Sequence, residues 1–162
     1  MAGSPKYLEL LAEIGSAPAF YADWNDLTEA WAALEDASTI TLRERLWDVA
    51  EIAFTVLAKE TNNTIPRLMV DATELHIAKN AGYAGADNPD PWANFRLSQT
   101  FGVPPVQGVL VRLSDKWSRI QSLRRDPSNE RIGESLLDTL RDLAAYALIA
   151  ICLLEEEQEV AA

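Results

Sequence analysis

The chain has a single cysteine, Cys152, among 162 residues, so it forms no internal disulfide. Basic residues are scarce: Lys and Arg number 14 against 25 Asp and Glu, giving a formal net charge of −11 and a pI near 4.5. That balance repels a phosphate backbone and excludes a broad nucleic-acid surface. Long apolar runs are missing as well. The longest, Leu143 to Leu154, has 12 residues, short of the roughly 20 that cross a bilayer, so no membrane partner is expected. No basic-then-apolar leader opens the chain, and the expected location is cytoplasmic. No Walker loop, dinucleotide-binding glycine fingerprint, zinc-ligand cluster or nucleophile elbow is present.

Hydrophobic residues make up 48% and charged residues 24%, enough to bury a core in one domain spanning 1–162. Its periodicity is helical. Trp24, Leu27, Trp31 and Leu34 share one face of a first helix. Thr41 and Glu44 read as a capping box for a second helix, about 42 to 60, which Thr61, Asn62 and Asn63 stop. Pro66 opens a third, about 66 to 80, with Gly82 as its exit. Leu110, Leu113, Trp117 and Ile120 mark a fourth, about 108 to 125. Asp126 reads as the N-cap of a long final helix delayed by Gly133, and the acidic tail Glu155, Glu156, Glu157 and Glu159 as its solvated, frayed end. The fold class is all-α, about five helices in a bundle, with residues 1–65 as an N-terminal layer and 66–158 as the core. Between helices three and four, residues 81–107 form a long loop that Trp92, Phe95 and Phe101 give something to bury, so it reads as an ordered lid or pocket wall with a short helical turn near Trp92. The twelve-residue apolar run needs covering on every side, which leads to the expectation of a homo-oligomer, a dimer.

Glu134, Asp138 and Asp142 recur every four residues on one side of the last helix. Most carboxylate stripes are water-facing, but Ala145, Ile149 and Cys152 continue this side, so Asp138 and Asp142 stand where a solvated edge meets a covered one. Asp71 and Glu74 share an edge of the third helix and could reach a metal ion facing the last helix. His76 receives no catalytic role. Arg112, Lys116 and Arg119 align on the fourth helix. These cations either pair with the last helix's carboxylates or neutralise phosphates while the carboxylates hold Mg²⁺.

The stretch Leu75 to Leu154 carries Lys79-Asn80-Ala81-Gly82-Tyr83, Trp92-Ala93-Asn94-Phe95, Arg112-Leu113-Ser114-Asp115-Lys116 and the run from Glu134 to Ala147. It resembles a phage-associated helical family, nucleotide-modification-associated domain 1, which would place the protein in the host cytoplasm. The last of these segments is similar to the second metal-binding helix of MazG-like all-α nucleoside triphosphate pyrophosphatases. That resemblance implies Mg²⁺ held by acidic residues on two helices and hydrolysis of a nucleotide between its α and β phosphates. The superfamily's Glu-x-x-Glu and Glu-x-x-Asp positions read Asp71-x-x-Glu74 and Thr139-x-x-Asp142, with Asp138 one residue from the expected acid.

The leading expectation is a Mg²⁺-dependent nucleotide-binding hydrolase of the pyrophosphatase type. Asp138 and Asp142 would be catalytic; Asp71, Glu74, Glu134, Asp138 and Asp142 would hold metal; Lys79, Arg112, Lys116 and Arg119 would bind phosphate; Asn80, Tyr83, Trp92, Asn94 and Phe95 would enclose the base. A non-catalytic nucleotide binder or signalling-nucleotide sponge, and a helical assembly protein using the Trp24 and Trp31 face, are the alternatives.

Overall fold

The structure is a computed structural model describing residues 5–16 and 21–162; residues 1–4 and 17–20 of the expected N-terminal layer lie outside the described residues. Every regular element among the described residues is helical. The helices are α1 (Pro5–Ser16), α2 (Trp24–Glu35), α3 (Leu42–Thr61), α4 (Ile65–Ala84), α5 (Ala93–Arg96), α6 (Pro105–Arg125) and α7 (Leu136–Ala161), with 3₁₀ turns at Leu97–Phe101 and Pro127–Asn129. That is seven helices among the described residues against an expected five. The two additions are α1 and the four-residue α5, the latter being the short turn anticipated near Trp92. The signal for α1 is Tyr7, Leu10, Leu11 and Ile14, spaced three and four apart and all buried.

At the centre stands α7. It packs along both α3 and α6 and also touches α1 and α4, while α2 covers α3. Its residues Leu140, Leu143, Ala144, Ala147, Leu148, Ala150 and Ile151 have no exposed surface. Each buried Leu or Ile side chain contributes about 1.5–3 kcal/mol. The twelve-residue apolar run is thus covered within the chain, which removes the reason for expecting a second copy. Among the described residues, no helix is long and apolar enough to cross a membrane.

Several helix ends differ from the sequence reading. Gly82 does not stop α4, because a helical glycine costs only about 0.5–1 kcal/mol; the helix runs to Ala84 and ends at Gly85, whose φ of 90° suits glycine. The Thr41–Glu44 box does not form: Thr41 is itself in the helical region and makes no cap bond, and it exchanges hydrogen bonds with Ser38 in the preceding turn. Asp126 caps the 3₁₀ turn at Pro127–Asn129 instead of α7. The final helix starts at Ser135, whose hydroxyl accepts the Asp138 N–H while the Asp138 carboxylate accepts the Ser135 N–H.

The 81–107 stretch is mostly helical structure and short turns. The Asp90 carboxylate accepts the Trp92 N–H at 2.9 Å and the Arg96 guanidinium at 2.8 Å. Arg96 and the Trp92 indole N–H both donate to Glu156, at 2.7 and 3.0 Å. Glu155 pairs with Arg43 and Lys6 at 2.7 and 3.1 Å. The acidic end of α7 is therefore not frayed. Its first two carboxylates tie α7 to α1, α3 and the α5 wall, and only Glu157 and Glu159 are exposed.

The tryptophan face expected to mediate assembly is used inside the fold. Trp31 is buried and stacks on Trp117 with ring centroids 5.1 Å apart and planes 17° from parallel. Trp24 is half-buried beneath the Arg124 guanidinium, 4.7 Å from its ring.

Candidate functional site

A cleft opens where α4, α5 and α7 meet. Extension of α4 to Ala84 puts His76, Lys79, Asn80 and Tyr83 on one face, at successive steps of three, one and three residues. From α7 come Arg141, Asp142, Ala145, Tyr146 and Ile149, and from α5 come Asn94 and Phe95. The cleft encloses about 460 Å³ counting its mouth, but only about 30 Å³ of its interior is open enough for a water-sized body.

Its charged floor is an ion-pair chain. Asp142, with its side chain 10% exposed, receives the Lys79 ammonium on one carboxylate oxygen at 2.7 Å and Lys116 on the other at 2.9 Å. Lys116 also donates to Glu134 at 2.7 Å, and Arg119 donates to the Glu134 backbone carbonyl at 2.6 Å. Burial acts to lower the Lys116 pKa, but the hydrogen bonds and charges of Glu134 and Asp142 outweigh it and the net direction is upward. Asp138 has a separate task. Its carboxylate accepts the Ser135 hydroxyl and N–H at 2.8 and 3.1 Å and the Arg141 guanidinium at 3.0 Å. The Ser135 hydroxyl is the main cause holding its pKa below the usual carboxylate range. Lys79, Lys116, Arg119 and Arg141 outnumber Glu134, Asp138 and Asp142 by one, so this patch carries a net positive charge inside a chain of net −11.

Of the carboxylates expected to hold metal, Asp142 alone lines the cleft. Asp71 pairs with Arg67 at 3.3 Å and stands eight residues before Lys79, about 12 Å of helix rise away. Glu74 is exposed and faces a groove against α1. Among the described residues, no three His, Cys, Asp or Glu side chains come together as metal donors. Mg²⁺ demands near-octahedral oxygen ligands, and here both Asp142 oxygens are taken by lysines and Asp138 is spent on a helix cap. This arrangement of donors does not fit the ion. The alternative weighed for the α6 cations is met by Lys116, which bonds Asp142 of α7 and Glu134, and by Arg119, which bonds Glu134; but Glu134 lies ahead of the Ser135 cap, off the helix on which its four-residue spacing placed it, and Arg112 instead lies over the Phe95 ring at 5.0 Å.

Of the expected base-binding residues, Asn80, Tyr83, Asn94 and Phe95 line the cleft and Trp92 does not. Trp92 is 1% exposed and packs behind the wall against His76, Tyr7 and Phe95, with centroids at 5.1, 6.2 and 6.4 Å. Tyr146 meets Phe95 edge-on at 6.1 Å. The Asn94 Oδ1 is buried and has no hydrogen-bond partner among the described residues, a condition that costs about 1–3 kcal/mol. Arg141 and Tyr146 went unnoticed in sequence, although Tyr146 lies one turn from Asp142 on the same face.

His76 closes the back of the cleft. Burial lowers its pKa to about 4, against about 6.5 for a free imidazole. Its stabilising contribution is therefore complete above pH 6.5, where both folded and unfolded forms are neutral, and is lost as pH falls towards 4, where only the unfolded chain takes up the proton. The loss reaches at most about 3 kcal/mol. Urea unfolding at pH 7 and pH 4 checks this: the gap between wild type and His76→Gln should narrow by that amount at the lower pH, and a constant gap would refute it.

Compared with protein-family models, curated proteins and solved structures, the chain matches none.

Proposed function

We propose that the protein binds a small anionic ligand of nucleotide type in the cleft between α4, α5 and α7. The observation that carries this reading is that, in a strongly acidic chain, the cations Lys79 and Arg141 outnumber Asp142, the one carboxylate lining an aromatic- and amide-walled cleft. Tyr83 and Tyr146 offer ring faces or edges to a planar group. Lys79, with its side chain 36% exposed, is the cation best placed to meet an incoming phosphate. When Lys79 turns to a ligand, Asp142 keeps Lys116 and is not left as a bare buried charge.

Between the two nucleotide readings, the carboxylate pairing favours a binder over a metal-dependent hydrolase. A panel of purine and pyrimidine 5′-mono- and triphosphates, run with and without Mg²⁺ and scored for melting temperature and for product, tests this. The binder reading expects an upward shift without turnover, in the presence or absence of Mg²⁺. At a ligand concentration 100 times Kd the added stability is about 2.7 kcal/mol. Turnover that requires Mg²⁺ would restore the hydrolase reading, and no shift with any nucleotide would remove the ligand class.

A further inference from the structure

We infer that Asn94 reads the ring of the bound ligand, its carboxamide oxygen accepting a hydrogen bond from an N–H on the ring edge; this rests on the proposed ligand-binding reading of the cleft. Asn94 is 9% exposed, lines the cleft, and leaves Oδ1 covered and unpartnered among the described residues. Buried polar atoms almost always find partners in the fold, so a covered acceptor left without one in a residue that lines the cleft points to a donor brought from outside.

The wall that carries Asn94 is firmly placed. The Asp90 turn takes the Trp92 N–H, and Trp92 and Arg96, on either side of Asn94, are both anchored on Glu156. Such a shell fixes a recognition group in advance of binding. At the cleft's rim Tyr83 is 71% exposed and Lys79 reaches solvent, and side chains of that kind change rotamer without helix movement, which gives a ring its way in.

Two chemical demands thus meet in one ligand: an N–H donor on a planar ring for Asn94, and an anionic group for Lys79. A nucleobase with its phosphate satisfies both. Every common base offers such an N–H, as an amino group in adenine and cytosine and as an imide N–H in uracil, so the inference sets the edge by which the ring is held and leaves the choice of base to the rest of the cleft.

The test is calorimetric titration of wild type and Asn94→Leu with AMP, CMP, GMP and UMP, together with N6,N6-dimethyl-AMP, N4,N4-dimethyl-CMP and 3-methyl-UMP on the wild type. The expected result is a loss of about tenfold or more in affinity for Asn94→Leu, while its melting temperature without ligand stays level or rises because an unsatisfied oxygen has been removed. The methylated compounds should lose affinity to a similar degree. If Asn94→Leu melts lower than wild type yet binds equally well, Asn94 is structural and the inference falls. Should that variant fail to fold, methylated compounds that bind as tightly as their parents overturn it on their own. No binding of any nucleotide to the wild type takes away the ligand class as well, whereas binding that neither change weakens removes only the role of Asn94.

Discussion

Asp142→Ala should lower the unfolding free energy by about 3 kcal/mol, the low end of the range for breaking a buried ion pair. It should lower the melting temperature by roughly 6–12 °C. The low end applies because the two lysines fare differently when the carboxylate goes. Lys116, with its side chain 19% exposed, keeps Glu134 at 2.7 Å, and Lys79, at 36%, can turn towards water. Asp71→Asn is the contrast. Its partner Arg67 is 65% exposed, and a pair of that kind contributes about 0–1 kcal/mol. Differential scanning calorimetry of both variants, followed by Mg²⁺ titration in the presence of nucleotide, separates the two roles for Asp142. Early melting with the ligand response intact identifies an ion-pair keystone. Normal melting with a metal-dependent response abolished would reinstate it as a metal ligand.

Trp92→Ala should cost about 3–5 kcal/mol, the usual range for truncating a large buried aromatic. The indole is nearly fully buried and touches three rings, one each from α1, α4 and α5, while its N–H holds Glu156 of α7. Removing it leaves a void where those four helices meet around one side chain. Trp92→Phe keeps an aromatic ring but loses part of the indole's volume together with the hydrogen bond, so it should cost less, about 1–3 kcal/mol. Denaturant midpoints for the pair decide the matter: equal losses would mean that the hydrogen bond, and not the ring, matters at this position.

Much of the bundle was legible because apolar spacing repeats over several turns. The stripe from Trp24 to Leu34, the α3 face ending at Asn62 and the α6 face through Ile120 all stand where periodicity puts them. Asp142 was legible for a related reason: Ala145 and Ile149, the next residues on its face, showed that the surface there had to be covered, and both line the cleft with it, whereas Asp138, placed at the same boundary by that argument, keeps its side chain 45% exposed and outside the cleft. What escaped detection depends on distant partners. The role of Asp138 is set by whether the helix starts at Ser135 or earlier, and a local motif search ranks Asp126-Pro127 as highly. The division of Glu155 and Glu156 between Arg43 and Arg96 joins segments more than fifty residues apart, and a run of glutamates carries no trace of it. Asp71 and Glu74 have suitable spacing, but the relative rotation of α4 and α7 decides whether such a pair meets a third acid, and spacing within one helix is blind to that rotation.

The central position of α7 also sets an order of assembly. Its main neighbours, α3 and α6, precede it in the chain, and α3 does so by some seventy residues. Until α7 has been synthesised, Leu46, Val49 and Phe54 on one side and Val109, Leu113 and Ile120 on the other lack their common partner. An all-helical protein of this size would ordinarily fold quickly from local contacts; the α6–α7 packing is of that kind, but the α3–α7 packing closes a long stretch of chain, which slows it. The nascent chain therefore carries uncovered apolar helical faces until α7 emerges, and truncation ahead of Ser135 is expected to yield an aggregating species and not a smaller folded one.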